Sequence, residues 1–200
     1  MDKQGVKHAF IQVLDGTCKT AVYHRFPAEA FIPDAGKFVI RIGDNFFSEE
    51  KLSLQLPGLT GELNFSGNQP WPKPFYSPGI MGPYAFVPFM ECYHGIVSMD
   101  HRVNGTIQLN GSGVAFRDGY GYMEKDWGHS FPSSYIWMQG NSFSQPGISV
   151  KSSVAKIPWV RNSFVGFIAG VLINGKLYRF TTYNRTKLRH CIADERGVDL

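Results

Sequence analysis

The feature that most constrains this chain is an alternation of apolar and polar residues, broken at intervals by turn residues. Residues 52–56 read Leu-Ser-Leu-Gln-Leu, and a period of two is typical of a strand with one buried face. Asn-Gly pairs stand at 110–111 and 174–175, directly after apolar runs. Since Asn-Gly suits the tight turn of a β-hairpin, the pattern predicts about eleven or twelve antiparallel strands.

Composition supports strands over helices. The chain has 16 phenylalanines, more than its leucines, together with 22 glycines and 12 prolines. Aromatic residues fit a pleated surface, whereas glycine and proline interrupt helices. We therefore expect an antiparallel sandwich or barrel, and composition argues against helical bundles and doubly wound α/β folds.

Charge and cysteine usage exclude several functions. The charged fraction is 18%, below the roughly 25% of typical soluble domains, and the net charge is only +4. The sequence contains no block of like charges of the kind that nucleic-acid-binding segments carry, so no nucleic-acid partner is expected. The three cysteines are widely spaced and form no zinc-type pair, so they are expected to be reduced, buried thiols.

The ends of the chain bear on location and completeness. Residues 1–5 are polar and contain no apolar signal core, and the longest near-apolar run, 164–173, is too short for a membrane span. A cytoplasmic protein is therefore expected. A strong strand pattern begins at Val6 and no apolar strand pattern follows Tyr183, so we also expect a fragment or a sheet that closes by other means.

A proline-rich segment divides the strand patterns. Residues 57–88 hold most of the prolines together with Trp71, Phe75 and Tyr76, a density that central strands do not tolerate. The segment is expected to be a long ordered loop that packs its aromatic side chains over the body. The alternative is a lid or wall of a pocket, because long loops in compact domains often carry function.

The stretch richest in chemistry runs from Gly119 to Gln139. If residues 120–127 form a strand, alternation places four side chains on one face: Tyr120, Tyr122, Glu124 and Asp126. The opposite face takes Met123, Lys125 and Trp127. The next strand places Tyr135, Trp137 and Gln139 together. Such faces predict a wall that is aromatic, partly polar and acidic.

An acidic aromatic wall suits one kind of chemistry. A carboxyl group desolvated beside a second carboxylate can stay protonated near neutral pH and act as a general acid. Aromatic faces stabilise a nearby cation by about 0.5–2 kcal/mol. Together they describe alkene protonation followed by capture of a carbocation. The plainer alternative is a surface ion-pair cluster of Glu124, Lys125, Asp126 and His129.

A second group of titratable residues lies at 91–101. It contains Glu91, His94, Asp100 and His101. The two histidines are seven residues apart, which puts them on opposite faces of a continuous strand. No metal is expected, and hydrogen-bonded histidines, or a place in the pocket wall, are the remaining interpretations.

Longer motifs in the same regions resemble the tocopherol cyclase family, in particular its bacterial members. The similarity rests on residues 121–128 (Gly-Tyr-Met-Glu-Lys-Asp-Trp-Gly), 131–139 (Phe-Pro-Ser-Ser-Tyr-Ile-Trp-Met-Gln), 80–83 and 89–95, and it covers nearly the whole chain. Plant members protonate the prenyl double bond of a phytyl quinol and trap the tertiary cation with a phenol oxygen. Distant relatives consist of two lipocalin-like barrels.

The resemblance implies one lipocalin-like barrel or sandwich plus part of a second. The expected domains are residues 1–112, including the loop at 57–88, and residues 113–200, which lack much of a second barrel. The expected activity is that of a cofactor-independent intramolecular lyase or isomerase, or of a hydratase. Its partner would be a hydrophobic prenylated substrate, as in vitamin E biosynthesis, and peripheral lipid contact is left open.

Family positions assign roles to the candidate residues. Glu124 is the expected proton donor and Asp126 its partner or substitute, because the plant pattern commonly carries Asn where this chain has Asp126. The expected substrate-binding residues are Tyr120, Tyr122, Trp127, Tyr135, Trp137, Gln139, His94 and Glu91. Two alternatives stay open: a non-catalytic lipocalin-like binder of hydrophobic molecules, and a carbohydrate-binding sandwich that uses an exposed tryptophan.

Overall fold

The computed structural model describes residues 5–159 and 161–199. The prediction drawn from the polar residues 1–4 lies outside these ranges. The strands are β1 (His8–Asp15), β2 (Thr20–Pro27), β3 (Phe31–Pro33), β4 (Val39–Ile42), β5 (Asn45–Ser48), β6 (Lys51–Leu56), β7 (Leu59–Ser66), β8 (Cys92–Leu109), β9 (Ser112–Gly128), β10 (Tyr135–Gly140), β11 (Ile148–Trp159), β12 (Asn162–Ile173), β13 (Lys176–Thr181), β14 (Ile192–Asp194) and β15 (Gly197–Asp199). Short 3₁₀ helices lie at Ala28–Ala30, Gly82–Phe86 and Thr182–Asn184.

The fold is all-β, as predicted, and every strand pair of known register is antiparallel. Four sheets have the orders β1-β2, β3-β4-β5-β6-β7-β8-β9, β10-β11-β12-β13 and β14-β15. Within the described residues no sheet closes on itself, so the sandwich alternative fits. No helix in this part of the chain has both the length and the apolar character of a membrane span.

The chain divides into two compact units, neither of which is a continuous segment. Unit 1 consists of residues 1–66 and 102–119, and unit 2 of residues 67–101 and 120–200. Strands β8 and β9 contribute residues to both. These units do not coincide with the segments 1–112 and 113–200, and the domain boundary near residue 112 stays a prediction.

Unit 1 has an aliphatic core. Alternate residues of β1, β4, β6 and β7 supply its buried members: Ala9, Ile11, Ile42, Leu54, Leu56 and Leu59. The Leu-Ser-Leu-Gln-Leu pattern is therefore that of β6, whose Leu54 and Leu56 are buried while Gln55 is exposed. Burial of a whole aliphatic side chain stabilises the fold by about 1.5–3 kcal/mol.

Unit 2 builds its core from the proline-rich segment and from strands. The buried members are Trp71, Ile80, Met81, Met90, Ile96, Met99 and Leu172. More than half of them lie before β8, so the segment packs as a structural layer and not as a loose connection. Its start differs from the prediction: residues 59–66 form β7, and the irregular part begins at residue 67.

Two strands are unusually long. β8 runs without a break from Cys92 to Leu109, and β9 runs from Ser112 to Gly128, beyond both ends of the strand expected at residues 120–127. Gly105 sits within β8 at φ +144°, opposite Leu63 of β7. A Cβ there would lie 2.2 Å from the Glu62 carbonyl oxygen, so this glycine serves close backbone approach and makes no turn.

Candidate active site

The centre of the site is His94, whose two ring nitrogens face two carboxylates. Nδ1 contacts Asp126 Oδ1, and Nε2 lies 3.3 Å from Glu124 Oε2. The side chains of His94, Glu124 and Asp126 are 13%, 19% and 29% exposed. The three residues come from neighbouring strands β8 and β9, so sheet pairing brings together groups that are about thirty residues apart in sequence.

Alternation along β9 aligns the acidic residues with a phenol. The Tyr122 hydroxyl donates to Glu124 Oε2 at 2.5 Å. Lys125 and Trp127 form a separate contact, in which Lys125 Nζ lies 5.1 Å from the centre of the Trp127 ring. The site therefore uses residues 122, 124 and 126, spaced by two as in the predicted face.

Glu124, Asp126 and His94 line an apolar cavity of about 400 Å³ within unit 2. Two further predicted residues, Tyr135 and Trp137, line it from β10 and are 57% and 45% exposed, which places them at its rim. The remaining lining residues are Met81, Tyr84, Met90, Cys92, Phe131, Pro132, Ser153, Ala155, Ile157, Phe164, Gly166, Phe167, Ile168, Thr182 and Tyr183. Most are apolar or aromatic, so an apolar ligand can replace water throughout much of the cavity.

The proline-rich segment supplies one wall of this cavity. Met81 and Tyr84 of the segment line the cavity, as does Met90 just after it. Tyr183 attaches the segment by donating from its hydroxyl to the Ile80 carbonyl at 2.9 Å. Gly82 has φ +55°, and a Cβ there would lie 2.7 Å from the Tyr183 ring. A glycine is needed at this position both for its backbone conformation and for the ring. The segment thus serves as core and as pocket wall.

Electrostatics favour a protonated His94. Burial alone would lower its pKa, but the contacts with Asp126 and Glu124 outweigh burial and the pKa of His94 lies above its usual value. Burial and the hydrogen bond to Glu124 strongly raise the pKa of Tyr122, which keeps its proton as a donor. Burial, followed by the charge of Asp126, raises the pKa of the Cys92 thiol.

Lys151 is a site component that our sequence reasoning missed. It is completely buried on β11, and its Nζ donates to Ser153 Oγ at 3.0 Å. Burial lowers its pKa to about 8, against the opposing attraction of Glu124 and Asp126. The sequence feature that could have revealed it is a lysine on the same strand face as Ser149, Ser153 and Ala155, which are small residues.

The structure does not bring every predicted residue to the cavity. Tyr120 is 40% exposed, and Trp127 is 50% exposed and stacks on Tyr93 with ring centres 5.6 Å apart. Glu91 contributes its backbone carbonyl, which accepts from the amides of His129 and Ser130. These residues and Gln139 lie outside the cavity lining, whereas Tyr122 acts on it through Glu124.

The same group also has the composition of a metal site. One ligand atom from each of His94, Glu124 and Asp126 can be chosen so that all lie within 4.8 Å of one another. A metal requires a deprotonated ring nitrogen. In the structure each nitrogen of His94 faces a carboxylate, an arrangement that also fits an ion-paired imidazolium.

Comparison with known proteins assigns the chain to a family. The family model described as tocopherol cyclase-like matches residues 66–193, which contain every strand of the site. The chain belongs to the tocopherol cyclase-like family. The resemblance stated from the motifs is thereby confirmed.

Two plant proteins show the extent of the similarity to tocopherol cyclases. The chain is 28% identical over 106 residues to the probable chloroplastic tocopherol cyclase of Oryza sativa subsp. japonica. It is 28% identical over 108 residues to the chloroplastic tocopherol cyclase of Zea mays. Each match covers 51% of this chain but only 23% and 22% of the plant proteins, so the chain aligns with less than a quarter of either. No solved structure matches the chain.

Proposed function

We propose that this tocopherol cyclase-like chain is a cyclase or hydratase that protonates a prenyl double bond of an apolar quinol or terpenoid. The single observation that carries the proposal is the placement of Glu124 and Asp126 in the apolar cavity, on either side of His94. A surface ion-pair cluster would have left the Glu124 carboxylate in water, whereas its side chain is only 19% exposed. Their position beside aromatic walls is what alkene protonation requires.

The geometry suggests how the proton is held. Protonated His94 donates toward Asp126 and lies 3.3 Å from Glu124, so it can return a proton to Glu124 after each turnover. In the proposed step the Glu124 carboxyl gives its proton to the less substituted alkene carbon, which leaves a tertiary cation on the other. A phenol oxygen, or water in a hydratase, then forms the C–O bond. The oxygen that forms this bond releases a proton, which passes to Asp126 or back to Glu124. Cyclisation therefore consumes no protons overall.

Aromatic side chains around the cavity can stabilise the intermediate. Tyr84, Phe164 and Tyr183 lie close together, with ring centres 6.1 Å and 6.5 Å from that of Tyr84. Their faces present negative electrostatic potential to a cation, worth about 0.5–2 kcal/mol per contact. The same rings exclude water, which would otherwise capture the cation early.

The test is turnover by the 200-residue chain. Phytyl and geranylgeranyl quinols are incubated with the protein, and chromanol is measured by mass spectrometry. Glu124→Gln keeps the shape of the side chain but removes its acid, so we expect turnover to fall by about 10²–10⁴-fold. Glu62→Gln, which alters an exposed carboxylate of β7, is the matched control and should retain turnover.

Two results would contradict the proposal. Unchanged turnover in Glu124→Gln would remove Glu124 from the mechanism. Tight binding of quinols with no product from the wild-type chain would instead support the non-catalytic binder. The predicted cytoplasmic location and the exact prenylated substrate also remain predictions, and the quinol series addresses the second of them.

A further inference from the structure

The unusual charge in unit 2 is Lys151, because an ammonium is rarely buried. The side chain has no exposed surface, and its nearest hydrogen-bond acceptor is the hydroxyl of Ser153. A single neutral acceptor does not replace the water that a charged amine loses on burial. Nearby negative charges must therefore offset the desolvation of the ammonium, since an uncompensated buried charge would strongly destabilise the fold.

Strand register puts Lys151 on the cavity side of β11. Ser153, Ala155 and Ile157 line the cavity, and Lys151 shares their face because it precedes them at a spacing of two. Directly across from it stand Gln139 of β10 and Gly170 of β12, neither of which carries a charge. Compensation must come from the facing strands.

Three titratable groups on β8 and β9 act on Lys151. Glu124 and Asp126 attract its positive charge, while its charge and that of His94 oppose each other. The site thus contains two carboxyl groups and two bases. Once Glu124 has given up its proton, the two carboxylates are balanced if both bases are protonated. This balance exists only with Lys151 in place, since the carboxylates would otherwise share the single charge of His94.

We propose that Lys151 is a positioning residue for Glu124 and Asp126: its buried ammonium balances their negative charges and opposes the positive charge of His94. The catalytic consequence rests on the proposed function, but the charge coupling itself does not. Lys151 has no assigned contact with a substrate and acts through the three other groups.

The first test measures His94 by NMR in protein labelled with ¹⁵N-histidine, with His94→Gln used to assign the signal. We expect Lys151→Met to raise the pKa of His94, because the opposing charge is gone. Lys151→Arg restores a positive charge and should return the pKa of His94 toward its wild-type value. Lys156→Met, which changes an exposed lysine of the same strand, is the matched control and should have no effect.

A second measurement uses the unaltered chain, so the inference stays testable if Lys151→Met does not fold. A ¹⁵N-lysine signal should titrate near the value of about 8 given by burial, and the His94 signal should show a second inflection at the same pH. A Lys151 that titrates at its ordinary pKa, or a His94 pKa unmoved by Lys151→Met, would overturn the inference. Quinol turnover is scored separately, so a chain with coupled titrations but no product would refute the proposed function alone.

Discussion

The two units of this chain bury different kinds of residue. Unit 1 has an aliphatic core, and its buried Asn45 is satisfied by the backbone: Nδ2 donates to the Ile42 carbonyl and Oδ1 accepts from the Gln55 amide. Unit 2 buries a lysine, half-buries Glu124 beside a histidine, and contains an apolar cavity that is open at its rim.

This difference indicates that the residues of unit 2 were not selected for stability alone. Neutral polar groups paired with backbone cost little, whereas desolvated charges are retained where chemistry needs them. Unit 1 therefore has the character of a stabilising scaffold, whereas unit 2 holds the desolvated charges on which the proposed function rests. Three experiments test this contrast between the units.

The largest expected effect is on Trp71, the residue that anchors the proline-rich segment. Its side chain is 1% exposed, and its ring lies so close to Gly170 that a Cβ there would be 2.4 Å away. Trp71→Ala should lower the free energy of unfolding by about 3–5 kcal/mol, measured by urea denaturation. It should also weaken binding of an apolar fluorescent probe, because Met81 and Met90 of the same core cluster line the cavity.

Leu56→Ala is the comparison variant in unit 1. Leu56 is 3% exposed and belongs to the aliphatic core, so the substitution should cost about 2–5 kcal/mol. The cavity lining found among the described residues belongs to unit 2, so probe affinity should stay unchanged under conditions where the variant is folded. If Leu56→Ala lost probe binding and Trp71→Ala kept it, the division of roles between the units would be wrong.

Local pattern was enough to predict the shared faces of the site strands. Alternation assigns Tyr122, Glu124 and Asp126 to one face of β9 whatever the strand pairs with. It also groups Tyr135 and Trp137 on β10, and both line the cavity. The all-β class followed from the same alternation and from the turn residues.

Strand pairing and register cannot be predicted from local alternation. Period two places His94 on a face but does not say that it meets Asp126, since that depends on how β8 pairs with β9. Lys151 was missed for the same reason, because its relation to Glu124 arises between strands distant in sequence. Tyr120 shares the periodicity of Glu124 yet is exposed, since alternation gives a face and not how far along the strand the cavity extends.

The next effect in size is the pH dependence that Lys151 imparts to stability. Its pKa is about 8 in the folded chain, against the ordinary value of 10.5 for a lysine side chain in water. Between these values the unfolded chain binds more protons, so stability rises with pH and the cost of the buried charge disappears. The free energy of unfolding of wild type minus that of Lys151→Met should increase by about 3 kcal/mol from pH 7.5 to pH 10.5.

Taking the difference between two variants cancels groups that titrate alike in both. Lys156→Met provides the control, since an exposed lysine should give a difference that is flat over this range. A flat profile for Lys151→Met as well would mean that the buried lysine keeps its ordinary pKa, and the contrast between the two units would lose its strongest element.

The smallest effect expected concerns Asn45, the buried polar residue of unit 1. Asn45→Ala leaves the Ile42 carbonyl and the Gln55 amide without their partner, at a cost of about 1–3 kcal/mol in urea denaturation. Asn104→Ala removes a similar bond to the Asp118 amide at an exposed position, where water can replace it, and should cost less. Because Asn45 carries no charge, its cost should be the same at pH 7.5 and pH 10.5. A cost that varied with pH, or one smaller than that of Asn104→Ala, would show that unit 1 also depends on desolvated charge.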